Sequence, residues 1–433
     1  MSARRSKSQS ITSASAAAEN RFERQPRLTL TVILLSSIGL ALFAAEMIAR
    51  WVHPLDTGTS SEYRVPDPRF GWVLAPGANY VNRLPEEAVP VSYNADGWRD
   101  QPRAQDKAKG VMRVLVLGDS FMEAYSVRFE DALPARLERL IGTAERRVEV
   151  INLGVGGYGT LQEYLVFNAV GRGYQPDVVV LAMFLGNDLI DNSQELTSLL
   201  SRSGLKVNAR PFLDPRVSEP GWVVTQVDYE GALKRYEKHR RRAAEPLNRL
   251  LRHSALLQTG RRALELVPLS WWTGSHSKKG VSWLLANFCL HYREEPPEFK
   301  RSWDVTRRIL ARLNRDVRGA GARLLVMSVP GDHEVEENRV ENDNYACVKE
   351  TFSYRRLGKL LDELDIDYLD LLPAFRDARR QTRVELFRRS DGHWNPQGHA
   401  LAARELAAAI EHRGYLDSPV AGFFGDKSEA PFR

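Results

Sequence analysis

Apolar and polar positions alternate along this chain in blocks that predict strands and helices in turn. Apolar, β-branched runs predict buried strands over 114–117, 148–153, 177–184, 322–330 and 366–373. Helical spacing of apolar positions occurs over 129–142, 160–171 and 396–411. Strands that are apolar on both faces, with helices between them, are typical of a parallel sheet covered on both sides. The pattern therefore predicts a three-layer α/β fold with about five parallel strands.

The longest apolar run comes before these blocks. Residues 28–45, LTLTVILLSSIGLALFAA, contain no charge, and with their flanks they are long enough to approach the span of a bilayer. Six basic residues precede the run, which favours a cytoplasmic N-terminus and export of the chain beyond the run. We expect a signal anchor in a bacterial inner membrane, with the rest in the periplasm or outside the cell. A cleaved signal peptide and a buried core helix are the alternatives, and the run lacks a strong cleavage site.

The charge of the chain is concentrated at its start. The net charge is +6 over 433 residues, and the first 27 residues contribute six basic and two acidic groups to it, a local balance of +4. A nucleic-acid binder normally carries a basic face on its folded part, so we expect no nucleic-acid partner. Cys289 and Cys347 are the two cysteines. Export would allow them to pair, and their spacing does not show whether they do.

Changes in composition divide the chain into six segments. The predicted segments are a basic tail (1–27), a membrane helix (28–52), a β-containing lead-in (53–110), an α/β domain (111–192 and 301–415), a mostly helical insertion (193–300) and a C-terminal tail (416–433). Asp96-Gly97 predicts a tight turn between short strands of the lead-in. In the insertion, Trp271, Trp272 and Trp283 suggest a surface for a partner. We expect the insertion over the carboxyl edge of the sheet, where α/β ligand sites lie.

Small and polar residues stand where the predicted strands end. Gly118-Asp119-Ser120 follows the first strand, a glycine loop over 154–159 follows the second, and Asn187 follows the third. Asp391 and His393 come just before the last helix. Because parallel strands end at one edge of a sheet, these clusters are predicted to surround a single crevice.

Together these residue types fit acyl transfer. A serine hydroxyl needs a base to remove its proton, and His393 can act as that base if Asp391 holds its imidazole. The negative oxygen of the tetrahedral intermediate needs hydrogen-bond donors, and the backbone amides of Ser120 and Gly157 and the side chain of Asn187 are suitable. The sequence therefore predicts Ser120 as nucleophile, His393 as base and Asp391 as orienting carboxylate.

Each residue also has a plainer interpretation. Gly-Asp-Ser is common turn chemistry, and Asp119 is expected to brace the turn rather than transfer protons. His399 competes with His393 for the role of base, but it lies inside the predicted last helix. The string GDHEVEE at 331–337 lacks the spacing that places two imidazoles on one helix face. We therefore predict no metal and no cofactor.

The strings VLVLGDSF, NLGVGGYG and LGND, with the Asp391/His393 pair, resemble the SGNH hydrolases, also called GDSL esterases and lipases. The resemblance covers 111–192 and 320–411 and implies a flavodoxin-like α/β/α sandwich. It also implies that Ser120 is the nucleophile and that Gly157 and Asn187 are oxyanion donors. One departure is the spacing Asp-x-His, where the family commonly has Asp-x-x-His. The shorter form resembles membrane-anchored acyltransferase-like relatives with roles in exopolysaccharides.

The expected function is therefore an exported serine hydrolase that cleaves carboxylic esters through an acyl-serine intermediate. Its substrate would be an acylated carbohydrate or lipid near the membrane. The alternatives are an O-acyltransferase that passes the acyl group to a polysaccharide and, from another class, a non-catalytic polysaccharide-binding module of an export complex. Water as acceptor gives the first activity, and a sugar hydroxyl gives the second.

Overall fold

The computed structural model describes residues 25–52, 60–200, 210–214, 224–225, 229–244, 253–259, 297–335 and 352–416. Its strands are β1 (Arg64–Asp67), β2 (Gly71–Leu74), β3 (Asn79–Arg83), β4 (Ala88–Ser92), β5 (Val111–Gly118), β6 (Arg147–Asn152), β7 (Val178–Met183), β8 (Phe212–Leu213), β9 (Val224–Thr225), β10 (Arg323–Ser328) and β11 (Asp367–Asp370). Its α-helices are α1 (Pro26–Val52), α2 (Ser120–Glu123), α3 (Leu133–Ile141), α4 (Thr160–Ala169), α5 (Asp188–Asp191), α6 (Gln194–Leu200), α7 (Tyr229–Ala244), α8 (Pro297–Gly319), α9 (Asp332–Val335), α10 (Phe352–Glu363), α11 (Leu372–Thr382) and α12 (Pro396–His412). Short 3-10 helices span Ser60–Tyr63, Phe129–Asp131 and Gly171–Tyr174.

The central sheet has five parallel strands in the order β11-β10-β7-β5-β6. Counted along the chain this is the order 2-1-3-4-5 of flavodoxin-like folds. Every residue of β7 is buried, and β5 is buried at all positions but one, because helices cover both faces. The predicted three-layer α/β class and the five predicted strands are confirmed.

Two helix pairs form the outer layers of this sandwich. Helix α3 packs against α12, and α4 packs against α8. The strand order with right-handed crossovers places these pairs on opposite faces of the sheet. The helix predicted over 129–142 begins as a 3-10 turn, and α3 starts at Leu133 with Pro134 in its first turn, where a missing N–H is tolerated.

The lead-in forms two antiparallel hairpins, β1 with β2 and β3 with β4. The predicted turn at Asp96-Gly97 forms after β4, where Gly97 has a φ of +83° and a Cβ would meet the carbonyl oxygen of Leu74 at 2.6 Å. It joins no two strands, however, so its predicted position between strands is wrong. The side chain of Asn94 holds this turn by accepting hydrogen bonds from the amides of Asp96 and Trp98.

The chain divides into two compact units, and the first comprises 1–55 with 246–268. Within it, helix α1 is long and apolar enough to cross a membrane, and Ala49 is its one buried residue. Near the end of α1, Glu46 accepts hydrogen bonds from the hydroxyl of Ser254 and the amide of Leu256.

The second unit comprises 56–245 with 269–433 and contains both hairpins and the central sheet. The described part of the predicted insertion contains α6, α7 and the small sheet of β8 and β9. The bounds predicted for the six segments stay a prediction. Both cysteines and the three insertion tryptophans lie outside the described residues.

Candidate active site

The nucleophile candidate stands at the carboxyl end of β5, an inner strand of the central sheet. Strand β5 ends at Gly118, and α2 starts at Ser120 with Asp119 as its N-cap. The Asp119 side chain accepts a hydrogen bond from the Phe121 amide at 2.9 Å, so this residue braces the turn as predicted. A Cβ on Gly118 would meet the Met122 side chain at 2.4 Å, which explains glycine at the strand end. Ser120 is left half-buried at the start of a short helix.

The two candidates for nucleophile and base are in hydrogen-bond contact. His393 Nε2 lies 2.8 Å from Ser120 Oγ, although 273 residues separate them in the chain. The segment that carries His393 is held by a bridge between Phe387 and Trp394 and by the bond from the Trp394 indole N–H to the Pro330 carbonyl. This distance is within the range required for proton transfer between a nucleophile and its base.

Asp391 lies on the other side of the same imidazole. Its Oδ2 is 3.3 Å from His393 Nδ1, and its Oδ1 accepts a bond from the His393 backbone amide at 3.1 Å. Among the described residues Nδ1 has no hydrogen bond of good geometry, so the carboxylate stands close to the ring but off the N–H direction. Catalytic hydrogen bonds are often poorly aligned before substrate binds. The three predicted residues are thus brought together in the order serine, histidine, aspartate.

His393 and Asp391 shift each other's pKa in the direction that favours the charged forms. Burial alone would lower the pKa of His393, but the contact with Asp391 and the charge of Asp119 together raise it above its ordinary value. Burial likewise would raise the pKa of Asp391, and its bonds to His393 outweigh this and lower it. The imidazole therefore gains proton affinity from the carboxylate, as a general base for a serine requires.

The oxyanion candidates lie on two neighbouring loops. Gly157 follows β6 and has a φ of +79°, a conformation that favours glycine. The preceding amide, of Gly156, is taken by Glu123 Oε2 at 2.7 Å. Asn187 Nδ2 donates to Asp119 Oδ2 at 3.0 Å, which leaves its second hydrogen for a ligand. The roles of Gly157 and Asn187 stay predictions.

Three buried carboxyl groups, those of Asp119, Glu163 and Asp188, belong to the part of the site that contains Asn187. Burial raises the pKa of Asp119 to about 6, even though the Phe121 amide and the charge of His393 favour its ionised form. Burial, together with neighbouring carboxylates, raises the pKa of Glu163 and of Asp188 well above the ordinary range. Among the described residues no group of three or more histidine, cysteine or acidic side chains is arranged to hold a metal.

Two residues near Ser120 were missed in the sequence. Glu123 is fully buried at the end of α2, and its Oε1 accepts a bond from the Tyr93 hydroxyl at 2.7 Å. The Tyr125 hydroxyl lies 3.4 Å from His393 Nε2, beside the nitrogen that contacts Ser120. Burial raises the pKa of Tyr125, so this hydroxyl keeps its proton. The sequence VLVLGDSFMEAY shows that Glu123 and Tyr125 lie close to Ser120 along the chain, but it does not show which distant residues they contact.

His399, the competing histidine, lies elsewhere. It is buried within α12, and its Nδ1 accepts a hydrogen bond from the Leu133 amide at 3.3 Å. Its ring packs at right angles to Trp394. Burial and the charge of Arg99 lower its pKa to about 3, so it is a neutral structural histidine.

Comparisons with known proteins find one matching family model and one curated relative, each over part of the chain. A family model described as "SGNH hydrolase-like domain, acetyltransferase AlgX" matches residues 282–430, which include Asp391 and His393. The chain is 26% identical over 126 residues to "Probable alginate O-acetylase AlgJ" of Pseudomonas aeruginosa. That match covers 29% of this chain and 30% of the relative's length.

The search of solved structures returns an acetyl xylan esterase, AlAXEase, at 13% identity and a TM-score of 0.37. The alignment covers 69% of this chain and 100% of the esterase. A lipolytic protein of the G-D-S-L family from Desulfitobacterium hafniense DCB-2 aligns at 13% identity and a TM-score of 0.33. That alignment covers 69% of this chain and 99% of the other.

Proposed function

This chain carries an SGNH hydrolase-like domain, and from that premise we propose that it is a serine esterase or O-acyltransferase whose nucleophile is Ser120. The observation that carries the proposal is the distance of 2.8 Å between Ser120 Oγ and His393 Nε2, with Asp391 on the far side of the imidazole. A turn serine with no catalytic role would not need a histidine and a carboxylate from the far end of the chain. Acyl transfer needs all three.

The first half of the reaction forms an acyl-enzyme. Ser120 Oγ bonds to the ester carbonyl carbon while its proton moves to His393 Nε2, and the carbonyl electron pair moves onto oxygen. The Gly157 amide and the Asn187 side chain donate hydrogen bonds to that oxygen. When the carbonyl re-forms, the bond to the alcohol breaks, and the leaving alcohol takes the proton from His393.

The second half transfers the acyl group to an acceptor. A water molecule or a sugar hydroxyl gives its proton to His393 and attacks the acyl carbon, and Ser120 leaves with that proton. Water makes the chain an esterase, and a sugar hydroxyl makes it an O-acyltransferase. The names of the relatives support an acetylated polysaccharide as substrate, since one is described as an acetyltransferase and another as an alginate O-acetylase.

We place the protein at a bacterial inner membrane with the catalytic domain in the periplasm. Helix α1 supports this location, since it is apolar and Ala49 is its one buried residue, and the basic residues before it favour the cytoplasmic side. A single-pass anchor would keep Ser120 near a membrane-bound donor or polymer. If the segment is instead a cleaved signal sequence, mass spectrometry of the mature protein will show that the basic tail and part or all of the apolar run are missing.

A fluorophosphonate probe tests the nucleophile. The full chain, purified in detergent, should be labelled, and Ser120→Ala should lose the label. Ser126→Ala is the matched control, because Ser126 lies on the same segment and is buried against the Trp394 carbonyl rather than His393. A native chain without a serine-dependent adduct would favour the non-catalytic polysaccharide-binding module instead.

Product analysis separates hydrolysis from transfer. With p-nitrophenyl acetate as donor, free acetate alone in the presence of glycan acceptors would identify an esterase. Acetylated glycan detected by mass spectrometry, absent with Ser120→Ala, would identify an O-acyltransferase. Both outcomes use the same acyl-serine intermediate.

A further inference from the structure

The guanidinium of Arg64, at the start of β1, lies over the glycine loop of the site. Its Nη2 is 2.6 Å from the position that a Cβ on Gly156 would take, and its Nη1 is 3.3 Å from that of Gly157. The guanidinium therefore covers the peptide that carries the Gly157 amide. Ser120 Cβ is 3.6 Å from the same Gly156 position, so the cation, the glycine amide and the nucleophile line one small space.

Within the described part of the chain, this cation has no acceptor for its hydrogen bonds. The side chain of Arg64 makes no hydrogen bond or ion pair there, and its buried Nε is unsatisfied. The nearby carboxylate of Glu123 already accepts bonds from the Gly156 amide and the Tyr93 hydroxyl. The ring of Trp72 supports the guanidinium, which lies 5.6 Å from the ring centroid.

A second arginine, Arg210, also lies beside Trp72, but its side chain has hydrogen-bond acceptors. Arg210 lies 5.2 Å from the Trp72 centroid, but its Nη2 pairs with Asp191 at 3.1 Å and donates to the Gly157 carbonyl at 2.6 Å. Arg210 therefore has a structural role, since it holds the glycine loop from the carbonyl side. Arg64 reaches the same loop, and among the described residues its side chain has no acceptor.

An unsatisfied guanidinium in a crevice is a site for negative charge. In acyl transfer a negative charge appears beside the Gly157 amide at one moment, when Ser120 has added to the ester carbonyl. Accordingly, and resting on the proposed function, we propose that Arg64 is a further catalytic residue that donates a hydrogen bond to this oxyanion. The electron pair that moves onto the carbonyl oxygen is stabilised by Arg64 and returns to the carbonyl when the alcohol leaves, so no further reactant is required.

The lead-in segment would then supply part of the active site. Its charge-assisted donor is stronger than a neutral amide and acts in a partly buried place where the charge is poorly screened. The absence of a side chain at Gly156 lets the guanidinium approach, because a methyl group there would meet both Arg64 and Glu123 Oε2 at less than 3 Å.

Steady-state hydrolysis of p-nitrophenyl acetate by the full chain tests this role, because the ester is neutral. Losing one oxyanion donor typically costs about 10²-fold in turnover, so Arg64→Gln should lower kcat by roughly that factor and leave KM nearly unchanged. The kcat of Arg64→Lys should fall between those of the native chain and Arg64→Gln, since lysine keeps the charge but lacks the planar set of guanidinium donors. Added methylguanidine should restore part of the kcat of Arg64→Ala, a gain that a misfolded variant would not show.

Arg69→Gln is the matched control. Arg69 lies five residues along the same segment, is exposed and pairs with Asp67 at 3.2 Å, so its loss should leave kcat unchanged. An unchanged kcat for Arg64→Gln in an active protein overturns the proposal and leaves the proposed function standing. The same holds if only the KM of an acidic ester such as p-nitrophenyl succinate rises, since Arg64 would then bind a permanent anion. A native chain without serine-dependent turnover overturns the proposed function itself.

Discussion

Two histidines only six residues apart, in the loop before α12 and inside that helix, have opposite chemistry. His393 stands between Ser120 and Asp391, and the carboxylate raises its pKa against the effect of burial. His399 instead accepts a hydrogen bond from the Leu133 amide, and burial with neighbouring cations lowers its pKa to about 3. The difference teaches that burial makes an imidazole a neutral packing group, whereas a neighbouring carboxylate makes it a base.

The largest expected effect comes from replacing the two histidines in turn. His393→Asn removes the nitrogen that contacts Ser120 and should lower kcat/KM on p-nitrophenyl acetate by about 10³-fold or more. His399→Asn keeps an acceptor for the Leu133 amide and should change kcat/KM by less than about threefold. Steady-state kinetics of both variants check the comparison, and equal losses in the two would contradict it.

A smaller effect is expected from Asp391→Asn. This substitution removes the carboxylate that raises the pKa of His393 and has no counterpart at His399 in the comparison above. The base must be neutral, so native activity should fall as pH drops through the raised pKa of His393. Without the charge of Asp391 that pKa falls, and the acid limb of the kcat/KM profile should move to lower pH. The plateau should also drop by about 10²-fold or more.

The control for this profile is Asp377→Asn on α11, an exposed carboxylate whose contact is Arg380 at 3.8 Å. This substitution should change neither the position of the acid limb nor the height of the plateau in the pH profile of kcat/KM. An acid limb that stays where it is in Asp391→Asn would mean that another group sets the proton affinity of His393.

The smallest effect concerns stability and His399. The unfolded imidazole has its ordinary pKa of 6.5 and takes up a proton as pH falls, whereas the folded one stays neutral down to about 3. Unfolding free energy should therefore fall with pH from about 6.5 downwards, by up to about 2 kcal/mol at pH 5 from this residue. Urea unfolding at pH 7 and pH 5 measures it. His399→Asn should lack this part of the pH dependence, and a variant with the native slope would assign the slope elsewhere.

The sequence predicted a feature correctly where the residues of one element are enough to show how that element is buried. Five apolar runs predicted the five strands of the sheet, because burial on both faces leaves a continuous apolar pattern. Parallel strand ends then predicted that Ser120 and the segment of His393 meet, which the 2.8 Å contact bears out in geometry.

The features that could not be predicted depend on partners from distant segments. Glu123 resembles an ordinary helical glutamate until Tyr93 and the Gly156 amide are placed around it. Arg64 belongs to a short strand with no apolar pattern, and only the folded chain lays it over the glycine loop. The Asp96-Gly97 dipeptide specifies a turn but not which strands flank it.

Tyr93, the residue that follows β4, connects the hairpin of β3 and β4 to the glycine loop of the candidate site. Its hydroxyl contacts that of Tyr80 at 3.1 Å and donates to Glu123, which in turn fixes the Gly156 amide. A shortened chain that starts at residue 111 would keep Ser120, Asp391 and His393, but it would lack Arg64 and the Tyr93 hydroxyl that holds Glu123 beside the glycine loop. We therefore expect that a fragment able to turn over an ester includes both this hairpin and Arg64.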